Sequence, residues 1–579
     1  MNVDPQRASR HYNRDSRYLL KTIAGNFGIV ALLAAFGINL TRAVPELDLP
    51  LVNPAYAFRQ TQTALGIREF SEKSFALLYE IPTDGRPWFL PFEFPLYQWL
   101  SAGFVRASGS DIEVAGRLVS LLAHYLTVIA SIRLLTLLKV PLQQSCCIAS
   151  VLLLLPVYQF WGRSVMIEST ALALGIVCAV NCLAIPIRSV AGENLKASNF
   201  LYALIFGSAC GLVKITTFGV IFGFIVIQCG VILWCHRKSL ALLVKPLMAV
   251  VVALSLSIAT ASFWTSYADG IKEAGRITSR ATSQSLRDWN FGTLGQRFSM
   301  EFWGRWWNLG FLEGFPAEAV FRAGPDRWIP LLNAIFAISL LLVLAWAVTI
   351  KPGTLLAAIP FFIAFASGPI VFSNLYFVHS YYWFANIWLL VTGVLIILWD
   401  RDVLLGLWRL LYPHGSTDRS LVPRTFALYS LLLQCFMAIV FVSAWRGHEY
   451  SSWQTWRGIP QIDQQLYCSM TNLATLLPKD ENEKGFLLVA GLGFSPEPAY
   501  HLARRTLCVT ADGSLSEIVT EASQLQASGY NIDGVLEVYP ENAQSELIIK
   551  SVLNLLRLES KQKLIENRTL RFTLVAPSP

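Results

Sequence analysis

Apolar residues in this chain gather into runs of bilayer-spanning length, not into the short alternating stretches of a water-soluble core. Such runs occupy residues 20–40, 115–138, 146–160, 165–187, 200–212, 217–235 and 240–264. After a long polar interval, further runs follow at 328–350, 354–372, 381–399 and 425–445. About eleven membrane-crossing helices are expected, the runs at 146 and 200 being the shortest. Beyond residue 446 the pattern changes. Strand-like runs at 486–490, 507–510, 534–538 and 570–575 alternate with helical patterns at 498–505, 515–527 and 545–558, an order that favours a mainly parallel sheet. The expected fold class is an all-α multispan membrane domain over residues 1–446, with a small C-terminal α/β domain over residues 447–579.

Composition agrees, since 54% of the 579 residues are hydrophobic and only 15% charged, which excludes water as the main solvent. The net charge of +8 does not point to nucleic acid, because the basic residues separate hydrophobic runs instead of forming a patch. Their placement sets orientation. With the N-terminus cytoplasmic, the inner loops carry Arg133 and Lys139, Arg188 and Lys196, Arg237 and Lys238, Lys351, and then Arg401, Arg409, Arg419 and Arg424. Loops 41–114 and 265–326 and the C-terminal tail then face outward, as expected for a multi-pass protein of the inner (plasma) membrane. The basic stretch from Arg7 to Lys21 leads into the first run without a clear cleavage pattern, so that run reads as an uncleaved span.

Eight of the ten cysteines lie in or at the edges of hydrophobic runs, where thiols act as small apolar side chains. Cys468 and Cys508 lie in the tail and leave one disulfide open. Gly491 and Gly493 resemble a fragment of a phosphate loop, but Ser495-Pro496 follows where a third glycine would be needed, and the tail reads as an accessory or docking domain.

Polar residues placed at a membrane face are costly and mark candidate chemistry. The first outer loop contains Arg59-Gln60-Thr61-Gln62, then Glu80 and Asp84, then Glu93-Phe94-Pro95-Leu96-Tyr97-Gln98-Trp99-Leu100. Arg163 and Glu168 lie between the third and fourth runs, Lys214 between the fifth and sixth, and His379, Tyr381 and Tyr382 at the start of the tenth. Topology gathers all of them on one surface.

In their order and common face these motifs resemble the C-type glycosyltransferases, in particular the polyprenyl-phosphate-sugar-dependent family that includes protein mannosyltransferases and lipid A aminoarabinose transferases. The resemblance covers residues 20–445 and rests on Phe94-Pro95-Leu96-Tyr97-Gln98-Trp99-Leu100, Gly116-Arg117-Leu118, the Arg163 to Glu168 spacing, Lys214, and His379 with Tyr381-Tyr382. It implies a membrane hexosyl- or pentosyltransferase, inverting at the anomeric carbon, with a polyprenyl-phosphate sugar as donor and a glycan, lipid or protein as acceptor. The chain would work among membrane lipids, and a divalent cation remains open as cofactor. Where relatives carry an aspartate in the first loop, this chain has Gln62, and an amide cannot serve as a general base. Glu93 is the first substitute for that carboxylate, with Asp84 and Glu80 behind it and Glu168 as a further candidate. Arg59, Arg163 and Lys214 are the cations expected to hold the donor phosphate, with His379 and Tyr382 beside it. A structural reading stands next to these assignments, in which Arg163 and Glu168 pair with each other and cap a span. Two other functions stay open: a transporter or lipid flippase, and a glycosyltransferase-like scaffold without activity.

Overall fold

The computed structural model describes residues 26–51, 57–83, 85–312, 352–398, 461–477, 484–509, 515–538, 543–566 and 570–577. The membrane-side helices are α1 (Phe27–Ala43), α2 (Ala57–Glu72), α3 (Leu96–Ser108), α4 (Ile112–Leu137), α5 (Leu142–Leu154), α6 (Pro156–Trp161), α7 (Glu168–Val190), α8 (Ala197–Val213), α9 (Ile215–Cys235), α10 (Leu240–Lys272), α11 (Pro352–Val371) and α12 (Trp383–Leu398). Among the described residues six helical stretches are long and apolar enough to cross a membrane, and α5, α8 and the stretch Leu356–Val371 are shorter apolar helices. The expected runs at 328–350 and 425–445 lie outside the described residues. The chain is a multi-pass membrane protein. Its outward surfaces are rich in apolar side chains such as Leu33, Leu122, Ile129 and Val251, as a lipid-facing surface requires.

Breaks between helices fall where the local chemistry demands them. The run at 146–160 is not one helix: Pro156 lacks an amide hydrogen and forces Leu155 into extended backbone, so α5 ends and α6 starts afresh. Lys214 alone separates α8 from α9, with extended φ −158° and ψ 98°. The loop read at 41–114 instead contains α2 and α3. In α2 the polar residues Gln60, Thr61, Gln62 and Thr63 are buried beside Ala64, Leu65 and Ile67, so no apolar stripe announces the helix. The loop read at 265–326 contains a short helix, Arg287–Phe291.

The tail comprises α13 (Gln461–Leu476), β1 (Gly485–Ala490), α14 (Glu497–Leu502), β2 (Arg505–Val509), α15 (Leu515–Ala527), β3 (Asn531–Val538), α16 (Ala543–Leu555), β4 (Leu558–Glu566) and β5 (Leu570–Pro577). Its sheet has the order β2-β1-β3-β5-β4, with β2, β1 and β3 parallel and β5 and β4 antiparallel. Helix patterning at 545–558 ends early, and β4 is the strand that sequence periodicity misses. It forms the sheet edge and carries exposed Lys561 and Lys563, the charged character that keeps edges from pairing further. No disulfide joins Cys468 to Cys508. Gly491 adopts φ +90°, and a Cβ there would stand 2.2 Å from the Val538 carbonyl oxygen. Close approach of β3 therefore accounts for this glycine, without recourse to a phosphate.

Candidate active site

Helix ends supply the site. Glu46 closes the short 3-10 turn after α1, Glu93 precedes α3, Arg163 lies between α6 and α7, and Glu168 opens α7. Lys214 is the break between α8 and α9, Lys272 ends α10, and Tyr381 and Tyr382 lie in the turn before α12. Alternation of chain direction brings all these ends to one face. A carboxylate at the first turn of α7 also suits the positive end of the helix dipole.

Three ion pairs organise the cluster. Arg59 Nη2 donates to Glu93 Oε2 at 2.9 Å and its Nη1 to Gln62 Oε1, while Gln98 Nε2 donates to Glu93 Oε1 at 3.2 Å. Lys214 Nζ meets Glu168 Oε1 at 2.7 Å, and the ammonium stands 4.2 Å from the Tyr382 ring centroid and 5.2 Å from that of Tyr381. Arg163 Nη2 reaches Glu46 Oε2 at 2.5 Å, both side chains being nearly inaccessible. Arg163 and Glu168 therefore do not pair with each other. Glu168 is 2% exposed, and its Oε2 has no hydrogen-bond partner among the described residues.

Burial opposes charge on Arg59, but Glu93, Tyr381, Glu168 and Tyr382 outweigh it and raise its pKa. Those four groups and Arg59 consequently share one electrostatic neighbourhood. His379 stacks on Tyr381 with ring centroids 5.1 Å apart and faces Trp289 at 6.1 Å. Burial, with Arg59 and Lys214 adding, pushes its imidazole down to about 4. His501 of the tail is also pushed down to about 4, chiefly by burial. A neutral ring in the folded state with an ordinary histidine pKa in the unfolded chain means that unfolded molecules take up protons first as pH falls. The contribution of both rings to stability is thus complete above about pH 6.5 and lost towards pH 4. Thermal unfolding in detergent is expected to move to lower temperature over that window, and less so in His501→Gln.

The sequence motifs around the cluster have structural work as well. Tyr97 OH donates to the Gly116 carbonyl at 2.7 Å, and a Cβ on Gly116 would stand 2.8 Å from Val165 Cγ1. Arg117 is fully buried and donates to the carbonyls of Leu47 and Leu49, which fixes the chain just beyond Glu46. Two further residues were missed in the sequence. Glu46 gave no signal because its partner is remote in the chain, and Lys272 fell past the expected end of its span, where its ammonium lies 4.9 Å from the Phe92 ring. Glu80 is not in the cluster; it binds Arg505 of the tail at 3.2 Å and Lys73 at 3.6 Å. Asp84 lies outside the described residues.

Among the described residues no three His, Cys, Asp or Glu side chains stand together as metal ligands. Glu93 and Glu168 each face a side-chain cation, Arg59 and Lys214 respectively. The Arg163–Glu46 pair sets a stability expectation. Removing one partner strands a buried charge, at about 3–5 kcal/mol. In a double-mutant cycle read by thermal unfolding, Arg163→Met with Glu46→Gln should cost less than the two single changes added together.

No family model and no curated protein matches the chain. Solved structures do. An ArnT from Cupriavidus metallidurans bound to undecaprenyl phosphate superposes with TM-score 0.55 at 14% identity, over 93% of this chain and 97% of that one. The archaeal oligosaccharyltransferase AglB from Archaeoglobus fulgidus, in complex with an inhibitory peptide and a dolichol-phosphate, gives TM-score 0.52 at 12% identity, over 89% of this chain and 70% of that one. Both are C-type glycosyltransferases, and the chain has their fold.

Proposed function

We propose that the protein transfers a sugar from a polyprenyl-phosphate-linked donor to a glycan, lipid or protein acceptor on the extracytoplasmic side of the membrane. The fold shared with structures that hold undecaprenyl phosphate and dolichol-phosphate supports the donor class. The observation that carries the reading is the pairing at Glu168: one carboxylate oxygen rests on Lys214 and the other, beside the Arg59–Glu93 pair, has no partner among the described residues.

In the proposed reaction an acceptor hydroxyl or amine attacks the anomeric carbon. The bond from that carbon to the phosphate oxygen breaks, the acceptor's proton passes to Glu168 Oε2, and polyprenyl phosphate leaves. Arg59 and Lys214 would balance the charge on the departing phosphate, the guanidinium through two parallel hydrogen bonds. Attack opposite the leaving group gives inversion. Glu93 would then orient Arg59, and Glu168 takes precedence over Glu93 as base because both Glu93 oxygens already accept hydrogen bonds, whereas Glu168 Oε2 has no partner among the described residues. Charged groups at helix ends on one face, not midway along broken helices, favour transfer over transport. The test is purified protein in lipid nanodiscs with a panel of radiolabelled polyprenyl-phosphate sugars and a membrane extract as acceptor source. Label moving into the acceptor fraction supports the reading. An intact donor across the panel leaves the scaffold function.

A further inference from the structure

The segment of residues 80–83 and 85–94 joins two parts of the molecule. At one end the tail holds it: Thr506 N–H donates to the Pro82 carbonyl at 2.9 Å, Arg505 pairs with Glu80, and Glu521 Oε1 accepts from the Arg86 amide at 2.9 Å. Glu521 is 3% exposed although it lies on a helix of a small domain, so its carboxylate is committed to this contact. Trp88 is 2% exposed and completes the tail's own apolar core, among Phe486, Leu507, Ile518 and Val535. Its φ of +63° lies in the left-handed region, which a side chain adopts only when packing around it compensates.

Five residues further on, the same segment carries Glu93. There the helices hold it through Arg59 of α2 on the carboxylate and the Leu212 carbonyl of α8, which accepts from Phe94 N–H at 3.1 Å, while Tyr79 OH of the preceding loop donates to the Glu93 carbonyl at 3.2 Å. Leu212 stands two residues before Lys214. The segment is thus a strap from the tail's core to the groups that face the donor phosphate.

We propose that Glu521 and Arg505 of the tail are positioning residues, which through the strap set where Glu93, and with it the Arg59 guanidinium, stands. The proposal rests on the glycosyl-transfer reading for its kinetic consequence but not for its structural one. Neither residue touches the reacting groups. Loosening the strap at the tail leaves donor affinity in place and displaces Arg59 from its best geometry for the departing phosphate.

The experiment compares wild type with Glu521→Ala, Arg505→Met and Glu521→Gln in nanodiscs by hydrogen exchange and by transfer kinetics. In Glu521→Ala and Arg505→Met, exchange over residues 89–96 should quicken about tenfold while β1 keeps its protection. Their kcat should fall about tenfold or more with donor KM unchanged. Glu521→Gln, which still offers an oxygen to the Arg86 amide, should restore both. Faster exchange confined to residues 80–88, or a rise in KM at constant kcat, overturns the proposal. Should wild type transfer no sugar at all, the function above fails while the exchange comparison still decides whether the strap couples tail to site.

Discussion

Glu168→Gln is expected to lower the rate of sugar transfer by about 10²- to 10⁴-fold, the usual contribution of a positioned general base. Donor KM should not rise, because the substitution removes the carboxylate that holds the Lys214 ammonium at 2.7 Å and leaves the cation to the phosphate. A fall in kcat without loss of donor binding separates a base from a phosphate contact. Steady-state kinetics with a labelled donor reads both quantities. Should Glu93→Gln abolish transfer while Glu168→Gln leaves it intact, the base would be Glu93, and Glu168 Oε2 would have no part in the chemistry.

The second large effect belongs to Arg59. Arg59→Ala removes the donors expected on the leaving phosphate, a loss of about 3 kcal/mol, or about a hundredfold in rate. It also strands Glu93, which is 9% exposed and bound to Arg59 at 2.9 Å. Arg59→Lys keeps the charge without the planar fork, so it should recover only part of the rate. A double substitution with Glu93→Gln separates the two causes. If the deficit of Arg59→Ala comes from the stranded acid, the double variant regains activity; if it comes from lost phosphate contacts, it does not.

Much of this arrangement was legible in the sequence, for a physical reason. Charged residues between apolar runs can occupy only a membrane face, so counting runs is enough to gather Arg59, Glu93, Glu168 and Lys214 on one side. The structure brings these four into one electrostatic neighbourhood. Their partners were not legible. Arg163 binds Glu46, 117 positions away, and no local pattern encodes a contact closed by the packing of α1 against α5. Glu80 gives the same lesson in reverse. It sits in the right loop and on the right face, yet its carboxylate belongs to Arg505 of the tail, which spacing cannot reveal.

Hydropathy also fails where a helix is buried in protein and not in lipid. α2 carries buried Gln60, Thr61, Gln62 and Thr63, and the Gln60 side-chain oxygen accepts from the Val165 amide at 3.1 Å. Such a helix is polar because its surroundings are polar, and it reads as a loop. The departure at Gln62 becomes intelligible in the same way: the amide oxygen accepts from Arg59, a role open to it where general-base chemistry is not.

The most direct measurement is an experimental structure in nanodiscs with undecaprenyl phosphate added. The phosphate is expected within hydrogen-bond reach of the Arg59 guanidinium and the Lys214 ammonium, with the prenyl chain leaving towards lipid from the same face. A phosphate bound elsewhere, out of reach of Arg59 and with Lys214 still closed on Glu168, would contradict this reading.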